Sequence, residues 1–219
     1  MVFAYFACLF FSRILSICVE CSSSNQEYTT KRGYWMNKVY AIIGPPASGK
    51  TTLVKALNNY RIPAIISHTT RLPKKEEING VDYHFVDKEV FLKLPMIEKV
   101  NYSGHFYGLS KDEVLSKVKE SSISVVEVDL RGLEQLKKLL GERLTAIFLF
   151  ADKETILNRY VLQGDNDQEI NRRIEYAEAA GEFVNWQKAD YVVKNTGQLD
   201  VTVRQVLAIM DVSWVKSEF

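Results

Sequence analysis

From residue 36 onward, short apolar runs alternate with longer stretches in which apolar residues recur every three or four positions. The apolar runs are KVYAII (38–43), IPAII (62–66), ISVVEVD (123–129), RLTAIFLF (143–150) and DYVVKN (190–195). Such runs are typical of strands that are buried on both faces of a parallel sheet. The stretches with helical spacing cover residues 51–60, 131–140, 153–162, 168–188 and 199–210. This order predicts an α/β fold in which helices cover both faces of a parallel sheet.

Residues 67–107 interrupt this alternation. They are polar, rich in aromatic residues and divided into short apolar pieces such as YHFV (83–86). A chain of 219 residues is long enough for one domain that carries small inserted lobes. We therefore expect residues 67–107 to form such a lobe, built from short strands.

The first 35 residues differ from the rest of the chain. They are apolar and then serine-rich, and they hold all three cysteines, Cys8, Cys18 and Cys21. A secretory signal or a membrane anchor is not favoured, because no basic residue precedes the apolar run and Arg13 interrupts it. We expect residues 1–35 to be an extension outside the folded domain, with Met36 as the true start and residues 36–219 as the domain.

Composition and charge exclude some classes of function. Hydrophobic residues make up 47% and charged residues 25%, which is ordinary for a globular protein. The formal net charge is +1, so the chain has no broad basic surface for nucleic acid or for an anionic membrane. Residues 36–219 contain no cysteine, so no disulfide framework holds the domain. The expected location is the cytoplasm, and any phosphate binding has to come from local clusters.

The stretch IIGPPASGKTT (42–52) carries the first chemical signal. It fits the pattern G-x-x-x-x-G-K-[ST], it follows a predicted strand, and it opens a predicted helix. In such a loop the backbone N–H groups point at phosphate oxygens, Lys50 reaches the β- and γ-phosphates, and Thr51 binds Mg²⁺. The alternative is a Gly-Pro turn that only caps a helix. The predicted ATP-binding residues of the loop are Gly44, Pro45, Pro46, Ala47, Ser48, Gly49, Lys50, Thr51 and Thr52.

Two acidic residues lie at the end of the third predicted strand. Glu127 and Asp129 are two positions apart, so they face the same side of that strand. Carboxylates at the carboxyl edge of a parallel sheet can hold Mg²⁺ directly or through water. Thr51, Glu127 and Asp129 are therefore the candidate metal ligands, although a solvated strand end is the simpler interpretation.

Several further motifs follow in a specific order. They are SHTTRLPKKEEINGVDYHFV (67–86), MIEKVNYSGHFYGLS (96–110), VVEVDLRG (125–132), INRRI (170–174) and DYVVKN (190–195). Together with the phosphate loop, this order resembles that of guanylate kinases, and the resemblance covers nearly all of the chain after Met36. It implies a P-loop nucleoside-monophosphate kinase fold with an acceptor lobe at about 67–120 and a mobile lid at about 153–175. It also implies that the protein phosphorylates GMP, and dGMP, with ATP and Mg²⁺. We expect a monomer or homodimer without nucleic acid partners, and without membrane partners unless residues 1–35 belong to the functional protein.

The resemblance assigns acceptor binding to nine residues. They are Ser67, Arg71, Lys74, Tyr83, Glu98, Tyr107, Gly108, Glu127 and Asp129. A guanidinium such as that of Arg71 can grip a phosphate monoester bidentately, while hydroxyl groups donate further hydrogen bonds. An ionised Glu98 can accept from N1–H and from the exocyclic amine of guanine, a pair of donors that adenine lacks. By itself Glu98 reads as an exposed strand glutamate, and only its position between Tyr83 and Tyr107 favours this role.

The phosphoryl group itself needs positive charge more than it needs a base. The acceptor phosphate is already an anion, so the difficulty is bringing two polyanions together in line. The predicted catalytic residues are Lys50, Arg159, Arg172 and Arg173, and the resemblance places Asn195 near the ATP base.

Three residues depart from the family pattern. Lys74 replaces a second phosphate-binding arginine, so the charge is kept but the bidentate geometry is lost. Leu109 replaces a hydroxyl residue, and Gln163 replaces an arginine of the lid. They keep a kinase for another acceptor open as an alternative. A second alternative is a binding module, since guanylate-kinase-like domains of junctional scaffolds bind phosphopeptides without catalysis; such domains typically lack a working phosphate loop.

Overall fold

The computed structural model describes residues 37–102, 104–162, 164 and 166–212. The strands are β1 (Lys38–Ile43), β2 (His68–Thr69), β3 (His84–Phe85), β4 (Met96–Tyr102), β5 (His105–Ser110), β6 (Ile123–Glu127), β7 (Leu144–Phe150) and β8 (Tyr191–Lys194). The α-helices are α1 (Lys50–Leu57), α2 (Lys88–Lys93), α3 (Lys111–Glu120), α4 (Leu130–Leu140), α5 (Lys153–Leu162), α6 (Asp167–Ala179) and α7 (Leu199–Ile209). Short 3-10 helices cover Asn58–Tyr60, Gly141–Arg143 and Asn185–Lys188. The predicted extension, residues 1–35, lies outside the described residues.

A parallel sheet in the order β6-β1-β7-β8 forms the centre of the fold. The central strand β1 pairs with β6 on one side and β7 on the other, and its residues from Val39 to Ile43 are all buried. Alternate residues of β1 pack against opposite layers. Val39 and Ala41 lie in a cluster with residues of α3 and α4, whereas Tyr40 and Ile42 lie in a cluster with residues of α1 and α7. The predicted parallel sheet with helices on both faces is therefore confirmed.

Two predicted elements are wrong in part. Residues 62–66 form one bridge, between Ala64 and Val125, rather than a strand. Pro63 contributes only its carbonyl oxygen, which accepts from the Val125 N–H at 3.0 Å, because proline has no N–H to extend the ladder. The helix predicted over 168–188 ends at Ala179, where Gly181 adopts a left-handed φ of 69° and the Glu182 N–H donates to the Ala177 carbonyl oxygen.

A second sheet, in the order β3-β2-β5-β4, forms the inserted lobe. Strands β4 and β5 are a hairpin, β2 pairs antiparallel with β5, and β3 pairs parallel with β2. The register shifts between Met96 and Glu98, where β4 carries an irregularity. Leu109, the residue that replaces a family hydroxyl, is fully buried in the core cluster of α3 and α4. The inserted lobe of short strands predicted from the sequence is confirmed, whereas the acceptor role of that lobe and its boundary at about 120 stay predictions.

An ion pair connects the inserted lobe to helix α1. The Lys55 ammonium group contacts the Asp82 carboxylate, which also accepts from the Ile78 N–H at 2.8 Å. Lys55 lowers the pKa of Asp82, which directly precedes Tyr83. No helix among residues 37–212 that the structure describes is long and apolar enough to cross a membrane.

Candidate active site

The phosphate loop runs from the end of β1 to the start of α1. Gly49 caps α1 with a left-handed φ of 98°, and a Cβ atom there would lie 2.5 Å from Nδ2 of Asn195. Glycine therefore meets both a conformational and a steric requirement at this position. The Lys50 ammonium group donates to the carbonyl oxygens of Gly44 and Pro45, each at 3.0 Å. The lysine is thus folded over its own loop at the start of α1.

Two side chains hold the loop from the side of the core. Asn195 is buried, its Nδ2 donates to the Ser48 carbonyl oxygen at 2.7 Å, and its Oδ1 accepts from the Thr202 hydroxyl at 2.9 Å. Arg159 donates to the Ala47 carbonyl oxygen at 2.9 Å and to the Asn195 carbonyl oxygen at 2.8 Å. These contacts position the loop, and direct contact of either residue with a nucleotide stays a prediction.

The candidate metal ligands divide into two groups. The Thr51 hydroxyl donates to Oε2 of Glu127 at 2.8 Å, and Lys50 lies 3.9 Å from Oε1 of the same carboxylate. Asp129 instead caps α4, and its Oδ1 accepts from the Gly132 N–H at 2.8 Å. No group of three or more His, Cys, Asp or Glu residues that could hold a metal occurs in the described part of the chain. One hydroxyl and one carboxylate still fit Mg²⁺, which usually keeps several water ligands and binds to substrate phosphates.

On the acceptor side, an arginine is fixed between aromatic rings and a glutamate. Arg71 donates to both carboxylate oxygens of Glu77, at 2.7 and 2.9 Å, and its guanidinium lies 5.5 Å from the centre of the Tyr83 ring. A hydrogen bond with Tyr107 also contributes to the raised pKa of Arg71, after that with Glu77. The Tyr83 and Tyr107 rings meet edge to face with centroids 5.9 Å apart, and burial raises the pKa of Tyr83 to about 12.

The contribution of Glu77 was not predicted from the sequence. Its carboxylate also accepts from the backbone N–H of Lys74 at 2.7 Å, so it closes the turn that follows Arg71. Lys74 itself is exposed. A signal was available in RLPKKEE (71–77), where a proline turn separates an arginine from acidic residues that can fold back onto it.

Glu98 and Asp129 form a carboxyl pair. Burial, then the charge of Asp129 and a hydrogen bond with Asp129, together raise the pKa of the half-buried Glu98 to about 8. The raised pKa favours the protonated form of Glu98. This differs from the ionised carboxylate expected from the sequence, because a single strand position gives no sign that a second carboxylate faces it.

The arginines of the region predicted as a lid are held by one carboxylate. Arg172 and Arg173 both donate to Glu169, at 3.2 and 2.8 Å, and the guanidinium of Arg173 lies 5.5 Å from the centre of the Tyr160 ring. Gln163, the third departure from the family pattern, lies outside the described residues.

One cavity of about 1200 Å³ brings most of the predicted site together. The predicted residues that line it are Gly44, Pro46, Ala47, Gly49, Lys50, Thr51, Thr52, Ser67, Tyr83, Glu98, Tyr107, Gly108, Glu127, Asp129, Arg159, Arg172, Arg173 and Asn195. Pro45, Ser48, Arg71 and Lys74 are not among the lining residues. Glu182 lines it as well and was not predicted. Burial raises the pKa of Glu182, although Lys50 opposes the shift. It follows the end of α6, and no local pattern marks it.

Replacing Asn195 should destabilise the fold through the loop. The Asn195→Ala variant leaves the Ser48 carbonyl oxygen and the Thr202 hydroxyl buried without their partners, so we expect it to lose about 2–3 kcal/mol of unfolding free energy. Thr202→Val removes only the hydrogen bond from the Thr202 hydroxyl to Asn195 and should lower the free energy of unfolding by about 1 kcal/mol. Urea unfolding measures both. A change of less than about 0.5 kcal/mol in Asn195→Ala would show that the loop does not depend on this contact.

The raised pKa of Glu98 should make stability depend on pH. The folded state holds the Glu98 proton up to about pH 8, whereas the unfolded chain loses it near 4.5. The contribution of Glu98 to stability is therefore complete below pH 4.5 and is lost as the pH rises to about 8. We expect Glu98→Gln to remove this decline, which urea unfolding at pH 5, 6, 7 and 8 would measure. Parallel stability curves for both proteins would contradict the assignment.

Comparison with known proteins gives a consistent result. The family model described as guanylate kinase matches residues 36–213. The guanylate kinase of Pseudomonas fluorescens (strain Pf0-1) is 34% identical over 164 residues, covering 72% of this chain and 79% of that protein. That of Alkalilimnicola ehrlichii is 31% identical over 178 residues, covering 78% and 86%. The crystal structure of guanylate kinase from Anaplasma phagocytophilum has the same fold, with a TM-score of 0.60 at 24% identity over 80% of this chain and 85% of that one. The chain belongs to the guanylate kinase family.

Proposed function

We propose that the protein transfers the γ-phosphoryl group of ATP to the phosphate of GMP, and of dGMP, giving ADP and the nucleoside diphosphate. The observation that carries this proposal is the single cavity that the phosphate loop and the acceptor residues share. Lys50 and Thr51 line it together with Tyr83 and Glu98, so a donor and an acceptor can meet in one site. A protein that only binds a phosphopeptide would not need an intact phosphate loop beside its acceptor residues.

The donor nucleotide would bind at the start of α1. Backbone N–H groups of the loop would surround its phosphates, and the Lys50 ammonium group would exchange the carbonyl oxygens of Gly44 and Pro45 for phosphate oxygens. The Thr51 hydroxyl and Glu127 would hold Mg²⁺, which would neutralise part of the negative charge of the ATP phosphates. Because Asn195 and Arg159 fix the loop from beneath, little reorganisation is needed there.

The acceptor phosphate would bind near Arg71, Ser67 and the hydroxyls of Tyr83 and Tyr107. The guanidinium of Arg71 lies over the Tyr83 ring, and its two terminal nitrogens each donate one hydrogen bond to Glu77. A phosphate could use the remaining N–H donors or displace Glu77, and in both cases the guanidinium starts in a defined position. Lys74, which is exposed and whose backbone N–H donates to Glu77, would add a positive charge near Arg71.

The acceptor base would be selected by the pair formed by Glu98 and Asp129. Guanine presents N1–H and an exocyclic amine side by side, and two adjacent carboxyl groups offer acceptors for both. The donors of the base would then replace the proton that the two carboxyl groups share. Adenine presents an unprotonated N1 and one amine on this edge, so it offers the pair one donor where guanine offers two.

Transfer itself requires alignment and charge rather than a strong base. The attacking oxygen of the acceptor is already anionic, so the cations of the cavity would act by positioning two polyanions and by stabilising the charge of the transition state. Lys50, Arg172 and Arg173 line the cavity and are suited to this role, and Arg159 would contribute through the loop. Movement of residues 153–175 over the cavity would exclude water and prevent loss of ATP by hydrolysis.

The oligomeric state and location are also proposed rather than assigned. We propose a monomer or homodimer that acts in the cytoplasm without nucleic acid or membrane partners. The support is the near-neutral charge of +1 and the absence of cysteine from residues 36–219. Sedimentation analysis of the purified full chain would establish the number of subunits.

Replacing Lys50 tests the donor site. We expect Lys50→Ala to lower kcat on the order of 10³-fold, because the ammonium group acts on the phosphates during transfer, while the fold remains intact. Lys138→Ala, an exposed lysine of α4, is the control and should keep wild-type activity. A coupled assay of ADP release measures both. If Lys50→Ala keeps activity within about tenfold of wild type, the loop does not carry the reaction.

Replacing Glu98 tests the acceptor site. The assay compares GMP, dGMP, AMP, UMP and CMP, and wild type should prefer GMP. We expect Glu98→Gln to lower kcat/KM for GMP by about 2–3 kcal/mol in transition-state terms, with AMP use rising relative to GMP and KM for ATP unchanged. An unaltered ratio of GMP to AMP would exclude Glu98 from base selection. If wild type prefers another monophosphate, the assignment of GMP as the acceptor is wrong and the assignment as a kinase stands.

A further inference from the structure

Gly132 lies in the first turn of α4, at a position where the backbone does not call for glycine. It is buried, and its φ is not among the positive values of the described chain. A glycine inside a helix costs about 1 kcal/mol relative to alanine. The reason for glycine here is therefore to be sought in the space around it.

A methyl group on Gly132 would collide with the carboxyl group of Glu98. A Cβ atom built there lies 2.5 Å from Cδ and 2.8 Å from Oε1 of Glu98, and it is closer still to Oε2. The three nearest heavy atoms all belong to this one carboxyl group. The carboxyl group of Glu98 therefore occupies the space that any other residue at position 132 would fill.

Gly132 contacts the second carboxyl group as well. Its N–H donates to Oδ1 of Asp129 at 2.8 Å. One residue thus fixes Asp129 through its backbone and makes room for Glu98 through the absence of a side chain. The two carboxyl groups lie side by side because Gly132 positions both of them.

An alanine at this position would disturb the pair more than the fold. The atoms in its way are the end of a flexible side chain, so Glu98 can move aside by rotating its outer torsions. The helix itself would gain from alanine. What is lost is the position of the Glu98 carboxyl group beside Asp129.

We propose that Gly132 is a specificity-determining positioning residue, which leaves the space where the Glu98 carboxyl group lies beside Asp129 and so creates the surface that accepts the guanine edge. This inference rests on the proposed function, because it concerns how the same acceptor site selects its base. Gly132 acts through Glu98 and Asp129 and does not itself touch the substrate.

The test combines one substitution with a double-mutant cycle. We expect Gly132→Ala to lower kcat/KM for GMP on the order of 100-fold, as for other small displacements of a positioned group. KM for ATP should stay at the wild-type value. The melting temperature should stay at the wild-type value or rise. Gln135→Ala, an exposed position of α4, is the matched control for alanine in this helix and should match wild type throughout. In a Glu98→Ala background, Gly132→Ala should change kcat/KM for GMP by less than about threefold, since no carboxyl group is left to displace.

Each of the other outcomes contradicts the inference and shows which step of it is wrong. If wild type uses GMP and Gly132→Ala does so equally well, position 132 does not set the pair, and the proposed function stands. A lower melting temperature with equal losses for GMP and ATP would mean that glycine serves only the packing of α4. The same 100-fold loss in the Glu98→Ala background would show that Gly132 acts independently of Glu98. A wild type without activity on GMP would reject the proposed function and this inference together.

Discussion

The hydrogen bonds from Asn195 and Arg159 to the phosphate loop set the geometry of the loop and of the start of α1. They tie the carbonyl oxygens of Ser48 and Ala47 to the end of β8 and to α5. Because α1 starts at Gly49 and Lys50, this attachment also sets the direction of the N–H groups at the start of α1 and the position of Thr51 against Glu127. Gly44 and Gly49 leave the loop backbone free to adopt many conformations, and Pro45 and Pro46 restrict only their own φ angles. Its geometry is imposed by buried polar contacts from distant parts of the sequence.

Carboxylates hold three arginines that line the cavity or lie close to it. Arg71 is held by Glu77, and Arg172 and Arg173 are held by Glu169. Each carboxylate reduces the repulsion between positive groups and limits the conformations of a long side chain. A polyanionic substrate then meets guanidinium groups whose conformational freedom is already reduced, which lowers the cost of alignment. Among these carboxyl groups Glu98 differs from Glu77 and Glu169, because its neighbour is the carboxyl group of Asp129 and not an arginine.

The sequence was sufficient for features that depend on local pattern. The continuous apolar runs predicted the core strands, and the phosphate loop was found from spacing and context. The strand expected over 62–66 does not form because Pro63 lacks a backbone N–H donor. The helix expected over 168–188 ends early because of Gly181. Both residues can be read from the sequence, but the predictions followed the hydrophobic periodicity instead. The state of Glu98 and the places of Glu77 and Glu182 could not be predicted. They depend on which carboxyl groups, cations and buried surfaces come together in three dimensions, and a single sequence does not encode that in any short pattern.

The ion pair between Lys55 and Asp82 gives helix α1 two attachments. At one end the helix begins in the phosphate loop, and near the other end Lys55 holds the residue that precedes Tyr83. The Lys55 side chain is largely exposed, whereas that of Asp82 is only 9% exposed, so salt screens the pair mainly from the side of the lysine. Helix α1 therefore joins the phosphate loop and the residue before Tyr83 through one rigid element, and rising ionic strength weakens the attachment at Lys55.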